Sequence, residues 1–162
     1  MSRRRGAGTG SARLLDPRWE PPLLRAAARW EPGPPRPGLR RALAYAWASP
    51  VTLVGLLVGA TTRVRPEPRD GVLVFARAGG LAGAVLRRTR YDAVTFGHVV
   101  VARGVPSPSL MAHELIHTRH AERLGPLTAP VHLGLLAVYG YARHPLERAA
   151  RRAARRALGA PV

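Results

Sequence analysis

The 162-residue chain contains no cysteine, and it also lacks lysine, asparagine and glutamine. Without cysteine there is no disulfide framework and no thiolate metal site. Aromatic residues make up only 6%, so a core has to be built from Ala, Val and Leu. Acidic residues are also scarce: 9 Asp and Glu stand against 26 basic residues, all of them Arg, giving a formal net charge of +17. An excess of this size suggests nucleic acid. Yet Arg, Ala, Gly and Pro in surplus, with Lys and Asn absent, is also what a GC-rich coding sequence yields. Surface solvation is the favoured reading of the charge, and a nucleic-acid groove the disfavoured one. The N-terminal region shows no apolar core of a cleavable signal, which predicts a cytoplasmic or membrane-associated protein.

Hydrophobic residues, at 46%, suffice for one small domain. Residues 1–40 are dense in Arg and Pro and read as a disordered tail, with at most one or two helical turns around Pro22–Trp30. Residues 41–62 read as an apolar helical segment, uncharged from Ala42 to Ala60, long enough to span a bilayer. Inside it, Ser49 as N-cap and Pro50 at the first position predict a helix from Pro50 to about Ala60, about 16 Å long. Spanning helix, interfacial anchor and buried core helix all stay open, and Tyr45 and Trp47 would suit an interface.

Arg63–Gly71 reads as a charged linker, and residues 71–160 as the main domain. Val72–Phe75 reads as a strand, Leu81–Arg88 as a short helix or turn, and Tyr91–Arg103 as two strands broken at Gly97. A helix begins at Pro106–Ser109 and runs to about Leu124, closed by Gly125 and Pro126. A second spans Thr128 or Pro130 to about Ala142, and a third continues from Pro145 to Leu158. The expected class is α+β, a small sheet followed by a three-helix unit.

The first of these helices carries His113-Glu114-Leu115-Ile116-His117. Residues four apart share a helix face, so both imidazoles can meet one ion. Glu114 is then placed to act on a metal-activated water rather than on the metal. The uncharged neighbours Ala112, Leu115, Ile116 and Thr118 suit a buried helix, against the competing reading of two structural histidines on a polar face. A catalytic zinc site usually has a third protein ligand. His120 is disfavoured because His113 and His120 stand about 10.5 Å apart along the helix axis. Glu147 is favoured: an antiparallel Pro130–Ala142 helix returns the chain about 20 Å, and a helix starting at Pro145 aims Glu147 back at the histidines. That ligation is incompatible with a membrane-spanning second helix, although Leu124 to Ala142 is uncharged. The competing reading of Glu147 is an ordinary acid at a helix N-terminus.

The stretches Thr95–Val100, Leu110–His117, Glu122–Leu127 and His144–Arg148 together resemble a group of small bacterial zincin-like proteins. That group carries H-E-L-x-H, then E-R-x-G-P-L/F, then N-P-x-E-x-x-A, and Trp47–Leu53 is similar to an upstream element. The resemblance covers Trp47 to Arg151. It implies a minimal zincin-like domain with a gluzincin-type site, in which His113, His117 and Glu147 hold Zn2+ and Glu114 is the catalytic base. The chain departs from the pattern at His120, where the group has Gln, and at His144, where it has Asn; either could be a further ligand or a supporting donor.

The expected function is zinc-dependent hydrolysis of a peptide bond in a peptide or protein substrate. His98, Tyr139, Tyr141, Arg143 and His144 are available to stabilise the oxyanion, and spacing does not choose among them. His98, on a strand before the active-site helix, could face the cleft, although a lone His is more often structural; Tyr139 and Tyr141 are favoured as packing residues near a helix end, and His132, in an apolar helix, reads as structural. The rival is a non-catalytic basic protein with a vestigial metal site, binding anionic lipid or nucleic acid through the tail and the Arg143–Arg156 run. Association with a membrane surface is compatible with either reading, and the oligomeric state is left open.

Overall fold

The computed structural model describes residues 21–159. Half of the expected tail, residues 1–20, therefore lies outside the described residues. The fold is α+β. Helices α1 (Pro22–Ala27), α2 (Leu39–Ala60), α3 (Gly80–Thr89), α4 (Pro108–Leu124), α5 (Thr128–Arg143) and α6 (Pro145–Ala157) surround a sheet of β1 (Glu67–Arg69), β2 (Val72–Phe75), β3 (Ala93–Phe96) and β4 (Val99–Ala102).

The sheet has the spatial order β1-β2-β4-β3, with β2 and β4 parallel and the other two pairings antiparallel. All four residues of β4 are buried, as a central strand covered on both faces must be. On one side Val99 and Val101 meet Phe75, Ala82 and Leu86. On the other Val100 meets Val72, Val74 and Met111 of α4. Strand β1 lies inside the stretch read as a linker. Its signal is Asp70-Gly71: both residues have positive φ, 51° and 82°, the type I′ turn that closes a two-residue hairpin and pairs Arg69 with Val72.

Helix α2 differs from the expected Pro50–Ala60 helix. It is one continuous helix of 22 residues with Pro50 inside it. Pro50 cannot donate to the carbonyl of Ala46, a loss that usually breaks a helix. Here the Ser49 hydroxyl donates to Ala46 O instead, at 2.7 Å, so the residue expected as an N-cap repairs the helix interior. Ala48, Gly55 and Gly59 are buried on its inner face. A Cβ on Gly55 would stand 2.7 Å from the Cβ atoms of Phe96 and Val99, so only glycine lets this helix backbone lie so close to the sheet.

Helix α4 starts as the sequence predicts. The Ser107 side chain accepts from Leu110 N, and Pro108 occupies the first turn. At its other end Trp47 Nε1 donates to the carbonyl of Arg123 at 3.3 Å, and Gly125, with φ 54°, passes against the indole face. A 3-10 turn, Gly125–Leu127, leads into α5. Helix α5 returns the chain but has no buried residue, and it is kinked at Gly140 (φ 65°, ψ 169°). The packing expected of α5 falls to α6, which makes the most extensive helix–helix contact with α4. Leu146, Ala149 and Ala150 of α6 are buried, and the two small alanines allow a close approach. The helical turn expected around Pro22–Trp30 is α1, which lies against α6 with Leu24 and Ala28 buried.

Candidate metal centre

His113 and His117 project from one face of α4, and Glu147 projects from the first turn of α6, so the α4–α6 interface sets the three side chains together. One ligand atom from each lies within 4.8 Å of the others. Nε2 of His113 and Nε2 of His117 are 3.2 Å apart. Glu147 divides its carboxylate between them, Oε2 standing 3.4 Å from His113 Nε2 and Oε1 3.2 Å from His117 Nε2. Donors about 2.0–2.1 Å from a tetrahedral zinc ion stand about 3.3 Å from one another. The donor set and its spacing fit a divalent metal.

The electrostatics agree with the geometry. Burial disfavours the charged forms of both His117 and Glu147, but their contact outweighs it. His117 is raised above the ordinary histidine value by its hydrogen bond to Glu147 and by the charges of Glu147 and Glu114. Glu147 is held far below the carboxylate range by hydrogen bonds and charge from His113 and His117.

Glu114, beside the first histidine in sequence, is buried and faces the sheet edge. Thr95 of β3 donates its hydroxyl to Glu114 Oε2 at 2.6 Å. Both histidines, Glu114, Thr95 and Glu147 line a cleft of about 800 Å³. Val51 of α2, Leu110 of α4, and Leu133 and Leu136 of α5 give it largely apolar walls.

His144 caps α6. Its Nε2 faces the carbonyl of His132 at 3.0 Å, and its Nδ1 accepts from Glu147 N at 3.4 Å. A neutral imidazole protonated on Nε2 satisfies both contacts. Burial lowers its pKa, which keeps it in that form. Its place in the resemblance belongs to Asn, an N-cap residue by chemistry, and histidine does the same work here. His144 thus fixes the backbone that carries Glu147.

The structure decides among the readings left for three other positions. His98 turns away from the cleft: Nε2 lies 3.1 Å from Glu122 Oε1, Nδ1 lies 3.3 Å from Thr52 Oγ1, and its ring rests on Tyr45. It ties the β3–β4 turn to α2 and α4. The cleft is lined by Tyr141 rather than Tyr139, because the kink at Gly140 interrupts the helical periodicity that relates them. His132, read as structural, also lines the cleft, with Nε2 3.9 Å from Glu147 Oε1. Burial, helped by the neighbouring His144 and His117, lowers it to about 4. The available signal was that it is the one imidazole in an apolar helix. His120 is not in the metal-binding group; its Nε2 lies 2.9 Å from Trp30 O.

Compared with protein-family models, with curated proteins and with solved structures, the chain matches none.

Proposed function

We propose that the chain is a zinc-dependent metallopeptidase of the zincin kind, hydrolysing a peptide bond in a peptide or protein substrate. The observation that carries this reading is the mutual 3.2–3.4 Å spacing of His113, His117 and Glu147 beside an acid that is not one of the three. Zinc is favoured by two imidazoles and one carboxylate, a donor set that leaves a fourth position open. The ion would supply a Lewis acid that polarises a scissile carbonyl and makes water more acidic.

The remaining work belongs to the chain. Glu114 takes a proton from the attacking water and passes it to the leaving amine. The Thr95 hydroxyl holds Oε2 of that carboxylate and leaves Oε1 to handle the proton. Tyr141 lines the cleft with its pKa raised by burial and by Glu147, so the phenol remains a hydrogen-bond donor for the developing oxyanion. The apolar walls exclude water and favour apolar substrate side chains.

The test is cleavage of a casein-like substrate by the zinc-loaded chain. Glu114→Gln should lower turnover by about two to four orders of magnitude while zinc content stays that of wild type. Equal activity in Glu114→Gln would sink the proposal.

A second reading has its own observation. A groove between α1 and α6 is lined by Arg25, Arg29, Arg148, Arg151, Arg152 and Arg155, a surface suited to a polyanion such as nucleic acid or anionic lipid. Under this reading the metal group is vestigial. Binding that is steeply salt-dependent and indifferent to Glu114→Gln, in a chain without zinc-dependent cleavage, would favour it.

A further inference from the structure

The outward side of α2 is without charge from Ala42 to Ala60. Leu43, Trp47, Leu53, Val54 and Leu57 are exposed along it, a stripe about 20 Å long at 1.5 Å per residue. Only 17% of the most apolar window of this helix is buried, whereas a core helix would be mostly covered. Contiguous exposed apolar surface of this kind marks an interaction site. Exposed arginines bound the stripe at both ends, Arg40 and Arg41 before it and Arg63 and Arg65 after it. No acidic residue occurs between Leu39 and Val64.

We infer that the outer face of α2 docks flat on an anionic lipid bilayer, with the apolar stripe entering the acyl boundary and the flanking arginines meeting headgroup phosphates. The charge pattern selects this occupant. A second copy packed on the same stripe, parallel or antiparallel, would bring arginine ends against arginine ends with no acid on either helix to neutralise them. A bilayer containing anionic lipid meets both ends with the opposite sign. The helix lies in the surface rather than across it, because its other side carries Ala48, Gly55 and Gly59 into the protein. A Cβ on Gly59 would stand only 2.4 Å from the Phe75 ring. Spanning would drag the sheet, and buried Glu114 and Glu122 of α4, into hydrocarbon. This inference does not depend on the metal centre.

The test is co-sedimentation of the full chain with vesicles of equal parts phosphatidylcholine and phosphatidylglycerol, compared with vesicles of phosphatidylcholine alone. Wild type should prefer the anionic vesicles. Leu53→Asp/Leu57→Asp, at two outward positions, should weaken that binding at least about tenfold with an unchanged circular dichroism spectrum. Should the pair fail to fold, Leu57→Gln alone is read the same way, with at least about a threefold loss expected. Binding equal to wild type in the folded variant, and abolished by salt in both, would mean arginine adsorption only and overturn the docking. So would absence of vesicle binding, or a dimer in solution that the Leu53→Asp/Leu57→Asp pair dissociates.

Discussion

Thr95 and Glu114 sit on different elements, an edge strand and a helix, yet the threonine hydroxyl reaches the carboxylate at 2.6 Å. The contact fixes one oxygen of a buried acid, which orients the carboxylate for the proposed proton transfer. Thr95→Val keeps the shape and removes the donor. It should lower turnover by about one to two orders of magnitude, because the carboxylate loses the hydrogen bond that orients it. Zinc content should stay at wild type, and Thr95→Ser should restore most of the rate. Wild-type turnover in Thr95→Val would remove Thr95 from the proposed mechanism.

The same logic applies to His144 and the ligand it supports. His117→Ala and Glu147→Ala each delete a donor and should reduce metal affinity by more than about a hundredfold, beyond the usual effect of a supporting residue. His144→Ala deletes only the cap on α6 and should cost about tenfold, whereas His144→Asn, another capping residue, should recover most of it. Competitive titration with a zinc chelator measures all four. If Glu147→Ala bound zinc like wild type, Glu147 would not be a ligand.

Acid should loosen the fold through His120. Burial lowers its pKa from 6.5 to about 4, against a smaller opposing effect of its hydrogen bond to the Trp30 carbonyl. The unfolded chain therefore takes up a proton that the folded chain refuses. Stability is fully present above pH 6.5 and declines as pH falls from about 6.5 towards about 4. Urea midpoints at pH 7 and pH 5 should differ more in wild type than in His120→Gln, because glutamine can donate to the same carbonyl without titrating.

The close seat of α2 on the sheet makes Gly55 sensitive. Gly55→Ala places a methyl 2.7 Å from the Cβ atoms of Phe96 and Val99, with the Phe96 carbonyl at 2.9 Å. The helix must shift, at a cost of about 1–3 kcal/mol, despite the better helix propensity of alanine. Gly134→Ala, in α5, where an added Cβ meets nothing within 4 Å among the described residues, serves as the control and should be neutral or mildly stabilising. Chemical denaturation distinguishes the two.

Local chemistry was legible in the sequence. The spacing of His113 and His117 follows from the helical repeat alone, and the start of α4 is set by Ser107 and Pro108. The Gly97 turn and the buried strand Val99–Ala102 were likewise local, since turn residues and a β-branched run need no distant partner. So was the place of Glu147, as far as helix lengths could estimate a return path. Other features turned on a single hydrogen bond or backbone dihedral, or on contacts between distant segments. Pro50 reads as a helix start until Ser49 supplies the missing donor to Ala46. Tyr141 and Tyr139 look alike until Gly140 turns the chain. His98 looks free for the cleft until Thr52 and Glu122 claim it from two helices. Periodicity and capping act within a few residues, so sequence determined the elements and the histidine pair. Only tertiary packing decided which side chains Glu114 and His98 meet, because burial and hydrogen-bond partners come from elements far apart in the chain.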